Sequence, residues 1–147
     1  MYKIGVAGDN GAIAKELRQF LPRVPDASID TADAGEWDVL VLNGGVGHET
    51  GSLSAPAVVL NSDEKNLAGL LDPSSIPLLT ITYGFNSKAS ITASSVRDGE
   101  LCVCVQRSFT TPSGKRRERQ EFTVETRNPA ATLAAVSAAL TMDADFT

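Results

Sequence analysis

Histidine occurs once in this chain and cysteine twice, which leaves little material for a transition-metal centre. Cys102 and Cys104 stand two apart in Leu101-Cys102-Val103-Cys104-Val105-Gln106, a stretch that reads as a strand. Alternation sets both thiols on one face, and neighbours at that spacing seldom form a disulfide. With the lone His48 they lack the spacing of zinc ligands, so the expectation is two buried thiols and no metal. Basic residues are outnumbered, 13 to 18, and the net charge of −5 argues against a general nucleic-acid binder, whose affinity rests on neutralising phosphates. No apolar run approaches the length of a membrane span. The N-terminus passes straight into a strand with no secretory pattern. The expected setting is the cytoplasm, with neither membrane nor nucleic acid as partner.

What is present is ordinary globular material. The chain is 42% hydrophobic and 21% charged, and its 147 residues suit a single domain, 1–147, with a core that needs no staples. Its organising stretch is Lys3-Ile4-Gly5-Val6-Ala7-Gly8-Asp9-Asn10-Gly11-Ala12-Ile13-Ala14-Lys15-Glu16-Leu17. An apolar strand runs into Gly-Asp-Asn-Gly and a helix begins at once, the arrangement in which backbone N–H groups and a helix N-terminus hold phosphates. A working phosphate loop also needs Lys, for phosphate charge, and then Ser or Thr, for magnesium. Those places hold Ala12 and Ile13, and Asp9 adds a negative charge where phosphate would lie.

Further along, Tyr2–Ala7 predicts a strand and Ala12–Leu21 an amphipathic helix stopped by Pro22 and Pro25. Ser28–Asp30 suits a short edge strand. Trp37–Leu42 and Ala57–Leu60 read as strands covered on both faces. A Gly- and Ser-rich loop, Asn43–Ala55, lies between them. Ser62–Leu71 predicts a short helix capped by Ser62 or Asp63, and Leu78–Tyr83 another strand. After Gly84 the period changes. Ser90–Arg97 and Glu100–Arg107 alternate around Asp98-Gly99, a two-residue hairpin signal. Gln120–Thr126 is a third alternating strand, and Asn128 caps a helix, Pro129–Thr141, with proline at its first position. The expected fold is α/β and three-layered: a mostly parallel, Rossmann-like or P-loop-like sheet, then a small antiparallel three-stranded sheet, then a C-terminal helix.

That order resembles the central, ATP-binding domain of the Mur ligases, which join amino acids to peptidoglycan precursors. Ile4–Gly11 followed by Lys15-Glu16-Leu17 looks like the family's Gly-Thr-Asn-Gly-Lys-Thr-Thr loop and helix. Val41-Leu42-Asn43-Gly44-Gly45-Val46-Gly47-His48 looks like the strand that ends in a metal-binding Glu, with Gly and His beyond. Val58-Val59-Leu60-Asn61-Ser62-Asp63 resembles Val-Leu-Asn-Ala-Asp-Asp, and Thr82-Tyr83-Gly84 resembles Thr-Tyr/Phe-Gly before the antiparallel strands. Asn128-Pro129-Ala130-Ala131-Thr132-Leu133-Ala134-Ala135 resembles the family's His-Asn-x-x-Asn-Ala-x-Ala-Ala helix start.

The resemblance implies ATP and magnesium as cofactors, but the residues that would use them are replaced. The loop Lys is Ala12, the magnesium-binding Thr is Ile13, and the strand-end carboxylate is Asn43, a neutral amide that cannot replace a charged hard-metal ligand. The second Asn of the adenine-side motif is Ala131 and its His is Arg127. Gly51 runs almost directly into Pro56, so the segment that supplies another His and a modified Lys is missing. Phosphoryl transfer is mostly positioning and charge stabilisation, so no catalytic residue and no cofactor use are expected.

The expectation is therefore a non-catalytic module that binds a small ligand or a protein partner, in a cell-envelope setting that rests on the resemblance alone. Its alternatives are a ligase component completed by another polypeptide, and a self-associating module, a homo-oligomer paired through exposed strand edges. The candidate surface is the carboxyl edge of the sheet: a vestigial phosphate loop of Gly8, Asp9, Asn10 and Gly11, with Asn43, His48, Asn61 and Asp63 as ligand-binding candidates, to which the family's adenine-side motif adds Asn128. The plainer reading of the loop is a tight turn, of His48 an exposed loop residue, and of Ser62 and Asp63 helix caps. Lys115-Arg116-Arg117-Glu118-Arg119 is read as a solvated hairpin tip in preference to a nucleic-acid or acidic-partner patch.

Overall fold

The computed structural model describes residues 2–9, 11–20, 27–32, 35–44 and 51–146. Asn10 and His48, both candidates above, lie outside them, as does Leu21 of the predicted helix. Strands β1 (Tyr2–Ala7), β2 (Ala27–Thr31), β4 (Val39–Leu42), β6 (Ala57–Asn61) and β7 (Leu79–Tyr83) pair in parallel, and β8 (Ile91–Arg97), β9 (Glu100–Val105) and β12 (Gln120–Glu125) extend the same sheet. The order across its eight strands is β12-β9-β8-β7-β6-β4-β1-β2, with β8-β9 and β9-β12 antiparallel. Two two-stranded ladders stand apart: β3 (Gly35–Glu36) with β5 (Leu53–Ser54), and β10 (Phe109–Thr110) with β11 (Arg116–Arg117).

The antiparallel strands are thus not a second sheet, as their change of period suggests, but a continuation of the first. The join is a single register pair, Tyr83 with Ile91. A parallel connection normally needs a crossover of a dozen residues or more. Here β8 begins where β7 ends and overlaps it by that one pair, so the short turn after Tyr83 suffices. Thr82 Oγ1 accepts from Ser90 N at 2.9 Å and Gly84 N donates to Ile91 O at 3.2 Å, which fixes the join.

Alternation along the buried strands builds two cores. Ile4, Val6, Val39, Val41, Val59, Ile81 and Leu101 face α1 (Ala12–Gln19) and α2 (Pro129–Thr141), which lie together on one side of the sheet. Every residue of α2 from Ala131 to Thr141 is buried, not only its Leu133, Val136, Ala139 and Leu140. Alanines let α1 and the sheet approach closely, and the buried hydroxyls are satisfied locally: Ser137 Oγ donates to Leu133 O at 2.8 Å, and Thr126 and Thr132 share a bond of 2.7 Å. On the opposite face Leu40, Leu42 and Val58 meet Leu53 and the 3₁₀ helix Leu67–Leu70. That third layer is short and, among the described residues, carries no α-helix.

The predicted helix over Ser62–Leu71 does not form because side chains capture the backbone first. Asp63 N donates to Asn61 Oδ1 at 3.0 Å, and Asn66 takes a left-handed φ of 66°, so only the 3₁₀ turn remains. The two thiols do share a face, but Cys102 and Cys104 are partly rather than fully buried. Leu101, Val103 and Val105 take the helix side of β9, and the second core does not reach the other side. Partial burial and then the Glu121 carboxylate push the Cys104 thiol above its ordinary value.

The basic run is exposed as expected at Lys115, Arg116, Glu118 and Arg119, but not at Arg117. Arg117 is only 5% exposed; its Nη1 meets Asp145 Oδ1 at 2.8 Å and its Nη2 donates to the Ala144 carbonyl. Lys115 Nζ reaches the same Asp145 at 3.1 Å, and Thr111 Oγ1 donates to Asp143 at 2.7 Å. The hairpin therefore clamps the C-terminal segment, whose Phe146 ring packs on Phe20 and Phe122, each at 5.1 Å between centroids. Arg117 first and Lys115 second hold the Asp145 carboxyl below the usual carboxylate range. A carboxyl depressed in the folded state contributes stability that is present above its unfolded pKa and lost as pH falls through the folded one. Arg117→Ala is expected to lower stability by about 2–3 kcal/mol through lost packing and hydrogen bonds. It should also return the Asp145 titration, followed by NMR, toward the ordinary carboxylate range; an unchanged Asp145 titration would rule out the clamp.

Candidate functional site

The carboxyl ends of β1, β4, β6 and β7 converge, and the loops leaving them carry most of the residues singled out above. At the first of these loops Gly8 takes a φ of 73° and Gly11 a φ of 99°. The turn folds Asp9 back over the start of α1. Its Oδ1 accepts from Ile13 N at 2.9 Å and its Oδ2 from Ala14 N at 3.1 Å. Each carboxylate oxygen thus takes one of the unpaired amide donors that a helix N-terminus offers, in the field of the helix dipole. These are the donors that a bound phosphate uses in a phosphate loop. The negative charge that the sequence sets where phosphate would lie thus occupies the anion's place.

The remaining strand ends are tied to one another. Asn43 Nδ2 donates to the Gly8 carbonyl at 3.0 Å, and Asn43 Oδ1 accepts from Tyr83 Oη at 2.8 Å and from Asn61 Nδ2 at 3.2 Å. Asn61 Oδ1 is taken by Asp63 N. Asp63 is no helix cap: its Oδ2 accepts from Phe85 N at 2.9 Å and its Oδ1 from Asn86 Nδ2 at 2.7 Å, pinning the turn after β7. Ser62 Oγ donates to the Tyr83 carbonyl at 3.1 Å. Asn128 is the cap expected of it, its side chain accepting from Ala131 N at 3.3 Å.

Gly8, Asp9, Asn43 and Asn128 line one cavity with Ala12, Ile13 and Ala131. Its volume, about 240 Å³, falls below the range of small-molecule pockets. Asn61 and Asp63 are joined to it only through the asparagine network, and Gly11 does not line it.

The residue that sequence reasoning missed is Tyr83, whose hydroxyl anchors Asn43. Burial first, then the charges of Asp9, Asp63 and Glu64, raise its phenol well above the ordinary tyrosine range, so it stays a neutral donor. Its place at a strand end before Gly84 was the available signal. Among the described residues no group of three or more His, Cys, Asp or Glu lies together as metal ligands would. No described helix is long and apolar enough to cross a membrane. Among the described residues of the site the polar groups bond one another, and none stands as a nucleophile beside a base. Compared with known proteins, the chain matches no family model and no curated protein.

Proposed function

We propose that this chain is a non-catalytic domain of the Mur-ligase central type, Rossmann-like in its parallel half, that acts by binding a small ligand or a protein partner in the cytoplasm. The observation that carries the reading is the Asp9 carboxylate on the amides of Ile13 and Ala14. A phosphoryl-transfer loop must leave those donors open and bring cations to the phosphates. Here the donors are filled by the chain's own anion, and Ala12 and Ile13 supply neither charge nor a magnesium ligand. The turn, the strand ends and the N-cap of α2 serve as scaffold around a cavity of about 240 Å³. A second polypeptide that completed an ATP-dependent ligase would first have to displace Asp9. That disfavours the composite enzyme. A role in cell-envelope metabolism follows from the motif resemblance.

The test is a calorimetric titration with ATP, ADP and UDP-linked precursors, with and without magnesium, beside an assay of phosphate release. No metal-dependent ATP turnover and no tight ATP binding are expected. Magnesium-dependent release of phosphate above a blank would overturn the proposal.

A further inference from the structure

A second cleft lies away from the carboxyl edge, between α1 and the turn that joins β8 to β9. Its volume is about 800 Å³, and its walls carry Glu16, Asp98, Glu100 and Glu125 against one cation, Arg127. Glu100 and Glu125 are direct cross-strand partners, a like-charge pairing that costs stability where nothing neutralises it. Arg97 stands opposite Glu100 on β8, and no ion pair joins them among the described residues.

Glu16 carries the argument. It is 94% buried, being 6% exposed, in the middle of α1, yet among the described residues its carboxylate has neither a hydrogen bond nor an ion pair. Its side chain forms part of the cleft wall. A buried carboxylate without a partner is costly, and cations offset that cost.

We propose that this cleft binds an extended organic polycation of the polyamine class, with one ammonium group on Glu16 and another between Glu100 and Glu125. No three carboxylates close on a single point among the described residues, which disfavours a metal ion. Charges spread over a cleft of this size suit a flexible chain with spaced ammonium groups, each making charge-assisted hydrogen bonds. The assignment rests on the cleft alone and not on the ligase-like reading.

Thermal unfolding and calorimetry of the full chain with spermidine, against magnesium chloride at matched ionic strength, test it. Spermidine should raise the native Tm saturably and magnesium should not. Glu16→Gln should keep or raise the ligand-free Tm while weakening spermidine about tenfold, the loss of one charged hydrogen bond. Glu125→Gln, on an exposed strand end, should weaken it about three- to tenfold and serves if the first variant misfolds. Equal stabilisation by spermidine and magnesium, or spermidine affinity unchanged in both variants, would reduce the effect to general screening and overturn the assignment.

Discussion

Gly8→Ala is expected to destabilise the fold by about 3–5 kcal/mol, the top of the usual range for one substitution. A Cβ at Gly8 would lie 2.3 Å from the Gly44 nitrogen, 2.4 Å from its oxygen and 2.5 Å from its Cα. All three are backbone atoms, so no side-chain rotation relieves the overlap, and the φ of 73° adds strain of its own. The two loops are also stitched where the clash falls: Asn43 N donates to Ala7 O at 3.0 Å and Asn43 Nδ2 to Gly8 O at 3.0 Å. Separating them breaks the polar network that reaches Tyr83. Gly44→Ala is the control. A Cβ there meets nothing closer than 3.7 Å, an ordinary contact, and should change stability by less than about 1 kcal/mol. Urea unfolding of both variants measures the contrast; equal losses would mean that the two loops do not approach as described.

The second large effect is expected at Asp9. Asp9→Ala removes two charge-assisted bonds from the start of α1 and should cost about 2–3 kcal/mol, above the usual loss of a neutral cap. The same change vacates the donors of Ile13 and Ala14. Sulfate or inorganic phosphate should then restore part of the lost stability in proportion to RT ln(1 + [L]/Kd), while leaving the native protein unaffected. A variant that is neither destabilised nor rescued by anions would place the carboxylate elsewhere. Asp9→Asn, which keeps only one acceptor oxygen, should fall between the two.

Most of the architecture was legible because it is written in local pattern. The continuous apolar runs Val39–Leu42 and Ala57–Leu60 mark strands covered on both faces, and Asn128-Pro129 marks the start of α2. Three features were not local. Continuity of the sheet hangs on one pair, Tyr83 with Ile91, which no periodicity records. Arg117 reads as a surface charge, and only the approach of Ala144 and Asp145 makes it a buried anchor. The stretch after Asn61 has helical composition, and its fate was decided by side chains bonding nearby backbone at Asn61 and Asp63.

The site followed the same division. That Gly8, Asp9 and Asn43 share one place was readable from strand ends, whereas the cavity that adds Asn128 to them was not. That Asp9 fills the loop was not, because a side chain reaching amides four and five residues on depends on the turn between them. The burial of Glu16 was equally silent, since position on a helix does not say what will cover its face.

The most direct measurement follows the backbone amide resonances of Ile13 and Ala14 by NMR in the native protein during titration with phosphate and with magnesium ATP. Both should stay unmoved up to millimolar ligand, because Asp9 already holds them. Saturable shifts of both amides in the native protein would contradict the proposed self-occupied loop, and with it the loss of nucleotide chemistry.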